Sequence, residues 1–232
     1  MYKIRGNFSK WTIVLLFLML LPAFVKGQTK KILIVPMADT SLVTCRVGLT
    51  VFSNKADSLP LDLALGKFIE NKLVNYLTGT YSVSIEYPPA EIAKKPYGAF
   101  GKTKEFKKWL EDHQAGTDVV ILIHNIDIRN ILMDAPIPNS TSGFYSRGRS
   151  HGVFTSISFQ AYTTHNNRVL EYYEQNKAFV NLKDFKMPKD KGDFDQASLE
   201  VIRSEMCKLQ DNRIKYFLSK TYLMPELDHQ TN

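Results

Sequence analysis

The sequence predicts an α/β (α+β) domain: a single mixed β-sheet with about three packed helices and a β-hairpin before a C-terminal helix. Three observations predict it. The runs at 31–36 and 118–124 are almost wholly apolar, as buried strands are. The segments at 43–51 and 81–87 alternate apolar and polar residues, the period of a strand with one face in the core. Elsewhere apolar residues recur at three and four, the spacing of an amphipathic helix.

Taken in order, Lys31 to Pro36 reads as a buried strand. Val43, Cys45, Val47, Leu49 and Val51 alternate with Thr44, Arg46, Gly48 and Thr50, which sets Arg46 on a polar face. From Ser58 or Leu59 to Leu77, the residues Leu61, Leu65, Phe68, Ile69, Leu73, Tyr76 and Leu77 form a helical stripe, with Pro60 in the first turn and Gly79 past the end. Tyr81, Val83, Ile85 and Tyr87 mark a third strand before the proline-rich segment 88–96. Thr103 is an N-cap for a helix to about His113, whose Phe106, Trp109 and Leu110 share one side. His113 follows Trp109 by four and is placed to cap carbonyls or cover the indole.

Asp118 to His124 is apolar on both faces, which predicts a central strand, with His124 a core or sheet-end residue. The strands 153–163 and 168–180 flank His165-Asn166-Asn167, a turn composition, and form an antiparallel hairpin. Asp195 or Ser198 opens a long helix with Leu199, Ile202, Met206, Leu209, Phe217 and Leu218 as its core stripe. No repeat or composition shift divides residues 28–232, so they constitute one domain.

Residues 1–27 read as a cleaved signal peptide. Lys3, Arg5 and Lys10 precede the apolar run Thr12 to Leu21, Pro22 closes it, and Val25 and Gly27 occupy the −3 and −1 positions before Gln28. The apolar stretch of about 14 residues is shorter than the ~20 needed to cross a bilayer. The expectation is an exported protein of the periplasm or the outer-membrane periphery, soluble or peripherally attached, monomeric or oligomeric. The chain has 30 basic and 23 acidic residues, but four basic residues and no acid fall in the first 27 positions. The remaining 26 against 23 are no nucleic-acid footprint, so that partner class is set aside.

Local motifs for chemistry are missing from the sequence. Gly98-Ala-Phe-Gly101-Lys102-Thr103 ends like a phosphate-binding loop, but Pro96 stands where the first glycine belongs. Asp190, Asp193 and Asp195 are spaced like part of a calcium loop, but Val201 occupies the position of the bidentate glutamate, and helix capping accounts for them better. The five histidines are scattered, and no G-x-S-x-G or H-E-x-x-H occurs. No catalytic residue, metal or cofactor is therefore assigned.

The 24 residues from Arg129 to Gly152 hold Pro136, Pro138, Gly143, Gly148 and Gly152 and read as a long irregular loop. Its Tyr145, Arg147, Arg149 and His151 interleave aromatic and basic groups suited to an acidic partner, glycan or lipid headgroup, with Arg46 a further candidate. Cys45 and Cys207 are the two cysteines. In an oxidising compartment they either bridge, stabilising by roughly 4 to 5 kcal/mol in the chain-entropy model, or stay as two buried thiols.

The run Lys31 to Pro36, the helix around Leu65 to Leu77, the strand Tyr81 to Tyr87, Thr117-Asp118 to Ile123, the hairpin at Asn166-Asn167-Arg168-Val169 and the closing helix together resemble the periplasmic domain of the curli-secretion channel (CsgG) family and the related N-terminal domain of TolB. The resemblance is one of element order and hydrophobic pattern. It departs from the channels in lacking a lipidated cysteine and paired membrane-inserting hairpins. It implies a non-catalytic envelope assembly or adaptor part that meets other envelope proteins. The alternative is a secreted hydrolase, or a small-ligand or glycan-binding protein, whose residues converge only in the fold.

Overall fold

The computed structural model describes residues 29–48, 54–94, 97–98, 101–127, 141–165, 169–171, 178–186 and 194–224. The expected signal peptide, residues 49–51 of the expected second strand, residues 129–140 of the expected loop, Asn166 and Asn167, and Asp190 and Asp193 lie outside the described residues.

The chain is of the expected α/β class and closes on a C-terminal helix. The single sheet, however, is two. The first sheet has the strand order β11-β10-β7-β1-β4. Its parallel heart is β1 (Lys31–Pro36) between β4 (Ser82–Ile85) and β7 (Val119–Asn125), and β10 (Ile157–Thr163) and β11 (Val169–Glu171) add antiparallel strands beyond β7. The second sheet has the order β12-β9-β8-β2-β3. It comprises β2 (Leu42–Val47), β3 (Lys55–Ser58), β8 (Ser142–Arg147), β9 (Ser150–Phe154) and β12 (Phe179–Asn181). A two-residue hairpin, β5 (Tyr97–Gly98) and β6 (Gly101–Lys102), stands apart.

Both faces of the first sheet are covered, which accounts for the unbroken apolar runs in β1 and β7. On one face Ile32, Ile34, Ile121 and Phe159 meet α1 (Leu65–Leu77), α4 (Gln196–Lys220) and, from the second sheet, Leu42, Phe144 and Val153. On the other, Leu33, Val35, Val120 and Leu122 meet Phe106 and Leu110 of α3 (Lys104–His113), with Ile92 and Ala93 of the short α2 (Ala90–Lys94). Thr103 caps α3 by accepting from the Phe106 N–H, and Asp195 caps α4 by accepting from the Ser198 N–H at 2.7 Å. His113 does both things expected of it: Nδ1 lies 2.7 Å from the Trp109 carbonyl oxygen, and the ring stacks on the indole at 4.4 Å.

Helix α1 starts at Leu65, later than its periodicity suggests. Leu61, Leu63 and Leu65 each donate backbone hydrogen bonds to the carbonyl two residues earlier, so the apolar spacing from Leu59 onward belongs to a string of tight turns.

Two corrections concern the middle of the chain. The segment 129–152, expected to be irregular, carries β8 and most of β9. Its glycines misled because they serve close approach and a turn rather than a loop. A Cβ on Gly143 would fall 1.8 Å from the Val43 carbonyl oxygen of the paired strand. Gly148, with φ +57, opens the two-residue turn that joins β8 to β9. The expected strand 153–163 is divided at Thr155-Ser156, where the chain leaves the second sheet and enters the first. Both residues are fully buried. Ser142 Oγ lies 3.1 Å from Thr155 Oγ1, Gln210 Nε2 of α4 donates to the same hydroxyl, and Asn125 Nδ2 donates to Ser156 Oγ at 2.9 Å. Arg213 Nη2 donates to the Ile157 carbonyl at 3.0 Å. Side chains thus supply bonds at a corner where the ladder is interrupted.

Candidate functional site

The structure does not gather Tyr145, Arg147, Arg149, His151 and Arg46 into one surface. Pleating sends neighbours in β8 to opposite faces. Tyr145 packs on the outer face of the second sheet beside Cys45, 7% exposed, with its ring edge-on to Phe179 at 5.7 Å. Arg147 and Arg149 flank Gly148 at the exposed hairpin tip. His151 lies on the inner face, 7% exposed, with Nδ1 3.0 Å from Ser146 Oγ and its ring against Phe144 and Phe185. Burial holds its pKa below the usual 6.5. Register places Arg46 opposite Ser146 and Ser146 opposite His151, so Arg46 and His151 do share one row across three strands.

Cys45 and Cys207 are free thiols in the structure. Cys45 is sealed on the face of the second sheet that looks away from the main core, whereas Cys207 is carried by α4, which packs on the inner side. Burial raises the Cys45 thiol to about 12.

A crevice that the sequence did not single out lies at the carboxyl ends of the parallel strands. Such ends are where open α/β sheets form clefts, because successive connections depart to opposite faces. The strand order β4-β1-β7 produces that divergence here: α1 leaves to one face and α3 to the other. The crevice encloses about 320 Å³, within the range of about 300–1,000 Å³ that ligand pockets occupy. Pro36 ends β1 and Met37 follows it, Ile123 comes from β7, Gly66 and Ile69 from α1, and Ala93 from α2. One ionisable side chain enters this largely apolar wall from α1: Glu70, 6% exposed.

Glu70 Oε2 accepts a 2.8 Å hydrogen bond from Tyr87 Oη and lies 3.6 Å from Lys67 Nζ. Tyr87, two residues past β4, is 59% exposed yet reaches across the crevice to that carboxylate. The hydrogen bond to Glu70, followed by burial, raises the Tyr87 phenol above its usual 10. A signal for Glu70 was present in the sequence. It stands three residues before Leu73 and seven before Leu77, inside the buried stripe of α1, where a carboxylate is costly without partners.

Beside this crevice the first sheet ends at β4. The Ser82 and Glu86 N–H groups donate to Lys30 and Ile34 of the β1 segment, so the intervening Val83 and Ile85 direct their backbone groups away from it. Among the described residues no strand lies beyond β4. No described helix is long and apolar enough to cross a membrane.

No family model matches the chain, and no curated protein matches it. Among solved structures it is similar to protein XCC0632 from Xanthomonas campestris, described by the family model DUF330, with 8% identity over 87% of this chain and 88% of that one and a TM-score of 0.39.

Proposed function

We propose that this chain is an exported, non-catalytic component of the cell envelope, periplasmic or at the outer-membrane periphery, that works as an assembly or adaptor part by contact with other envelope proteins. The observation that carries the proposal is the β4 edge. Edge strands are normally protected against added strands by charge, proline or a bulge. The edge strand β3 carries Lys55 and Asp57 and is exposed throughout, whereas Ser82-Val-Ser-Ile85 contains neither charge nor proline. An extended segment of a partner adds to such an edge through main-chain hydrogen bonds. The basic, apolar and small-residue order of positions 1–27 supports export, and the resemblance to the curli-secretion channel and TolB domains belongs to the same proposal.

The test is to tag the C-terminus, fractionate cells and identify what co-purifies. The expected result is a protein beginning at Gln28 in an envelope fraction, with stoichiometric envelope partners. Val83→Pro removes an outward-facing donor, which edge strands tolerate, and is expected to abolish capture while the melting temperature stays within a few degrees. Recovery of the intact chain in the cytoplasm, or capture indifferent to Val83→Pro, would overturn the proposal.

A further inference from the structure

We propose that the crevice at the carboxyl ends of β1 and β7 is a binding site for a small organic cation, a primary ammonium group on a short apolar chain, with Glu70 as its anionic anchor. This goes beyond the adaptor role and does not depend on it.

The chemistry of the walls selects the ligand. Met37, Ile69 and Ile123 are buried side chains that line the cavity, and together they offer an apolar seat. Into it projects one carboxylate whose Tyr87 and Lys67 contacts both fall on Oε2. The Lys67 side chain is 65% exposed, and an ion pair with so exposed a partner contributes little. An ammonium donates up to three hydrogen bonds, enough for both carboxylate oxygens and one further acceptor, and Thr40 is a polar residue that also lines the cavity. A divalent metal ion requires about six oxygen ligands, and among the described residues the walls supply one carboxylate. A carboxylate ligand would meet Glu70 as a like charge. Glu70 is the sixth residue of α1, past the first turn in which the positive end of the helix dipole would oppose a cation. Tyr87 acts as a latch: its phenol holds the Glu70 carboxylate from a largely exposed position and can withdraw to solvent when an ammonium arrives.

The experiment titrates the purified mature protein with n-hexylammonium, 1-hexanol and hexanoate, following the methyl resonances of Met37, Ile69 and Ile123 by NMR. The expected result is saturable shifts at those methyls with n-hexylammonium, binding at least tenfold weaker for 1-hexanol and none for hexanoate. Glu70→Gln should weaken n-hexylammonium at least tenfold, and Tyr87→Phe, which frees the carboxylate of a competing donor, should retain or tighten it. Equal binding of the alcohol and the amine, no saturable shift, or unchanged affinity in Glu70→Gln would overturn the assignment. If Glu70→Gln does not fold, the three-ligand comparison on the unaltered protein and the Tyr87→Phe titration decide it. Partner capture plays no part in these readouts, so this site can fail while the envelope reading stands, and the reverse.

Discussion

Tyr76 of α1 and Asp211 of α4 stand 135 positions apart in the chain, and the phenol donates a 2.7 Å hydrogen bond to the carboxylate. Lys72 and Lys215 approach the same carboxylate at 3.1 and 2.9 Å, and both ammonium groups sit 5.9 Å from the Tyr76 ring centre. Four side chains thus clamp the two helices that cover one face of the first sheet.

Breaking this clamp should cost stability in a pH-dependent way. Burial pushes the Asp211 carboxyl up, but hydrogen bonds from Lys215, Tyr76 and Lys72 more than reverse it and hold it below the ordinary 3.8. A carboxyl depressed in the fold stabilises above its unfolded pKa, and that stabilisation is lost as pH falls through the folded value. Asp211→Asn should therefore cost about 1–2 kcal/mol at pH 7 and progressively less below pH 4. Urea unfolding at both pH values measures the difference.

His151 carries the opposite residue type with the same sign of slope. Its folded pKa lies below 6.5 because it is buried, so the unfolded chain takes up the proton more readily and stability rises with pH. That contribution is complete above pH 6.5 and is lost as pH falls below it. His151→Phe, which keeps an aromatic ring between Phe144 and Phe185, should flatten the stability profile between pH 5 and 7 relative to the parent protein. An unchanged slope would remove His151 as its source.

Gly143 and Gly148 of the β8–β9 hairpin should behave differently when given a methyl group. Gly143→Ala would drive a Cβ into the Val43 carbonyl at 1.8 Å, where only backbone can yield, and should cost about 3 kcal/mol or more. Gly148→Ala meets no atom within 4 Å but keeps φ +57, and should cost about 1–2 kcal/mol. Thermal melts of the two variants rank the effects.

The cysteines should remain separate even under oxidation. With Cys45 raised to about 12 by burial and Cys207 raised by the same cause, little thiolate forms at neutral pH. Ellman's reagent should label both slowly in the folded protein and rapidly in urea. Migration in gels should be the same with and without reductant.

Elements with a single strong period were legible in the sequence. The stripe of α4, the unbroken apolar runs of β1 and β7, and the caps Thr103 and Asp195 follow from local rules, because each records its own environment. The second sheet was hidden because its informative residues record distant neighbours. Gly143 is small on account of Val43, and Ser142 and Thr155 are polar on account of each other and of Gln210. Read locally, glycine and serine spell a loop. The crevice was half legible: Glu70 violated the stripe of α1, but its partner Tyr87 and the wall from Ile123 are brought to it by the crossing connections of the sheet.

The buried corner at Thr155-Ser156 also bears on when the protein can fold. The Thr155 hydroxyl and the Ile157 carbonyl are met by Gln210 and Arg213, which lie 55 and 56 positions further along the chain on α4. A nascent chain that has reached β10 still lacks the helix that satisfies this corner and fills the core against both sheets. The native packing of both sheets is therefore withheld until α4 has been synthesised, well after the strands it covers.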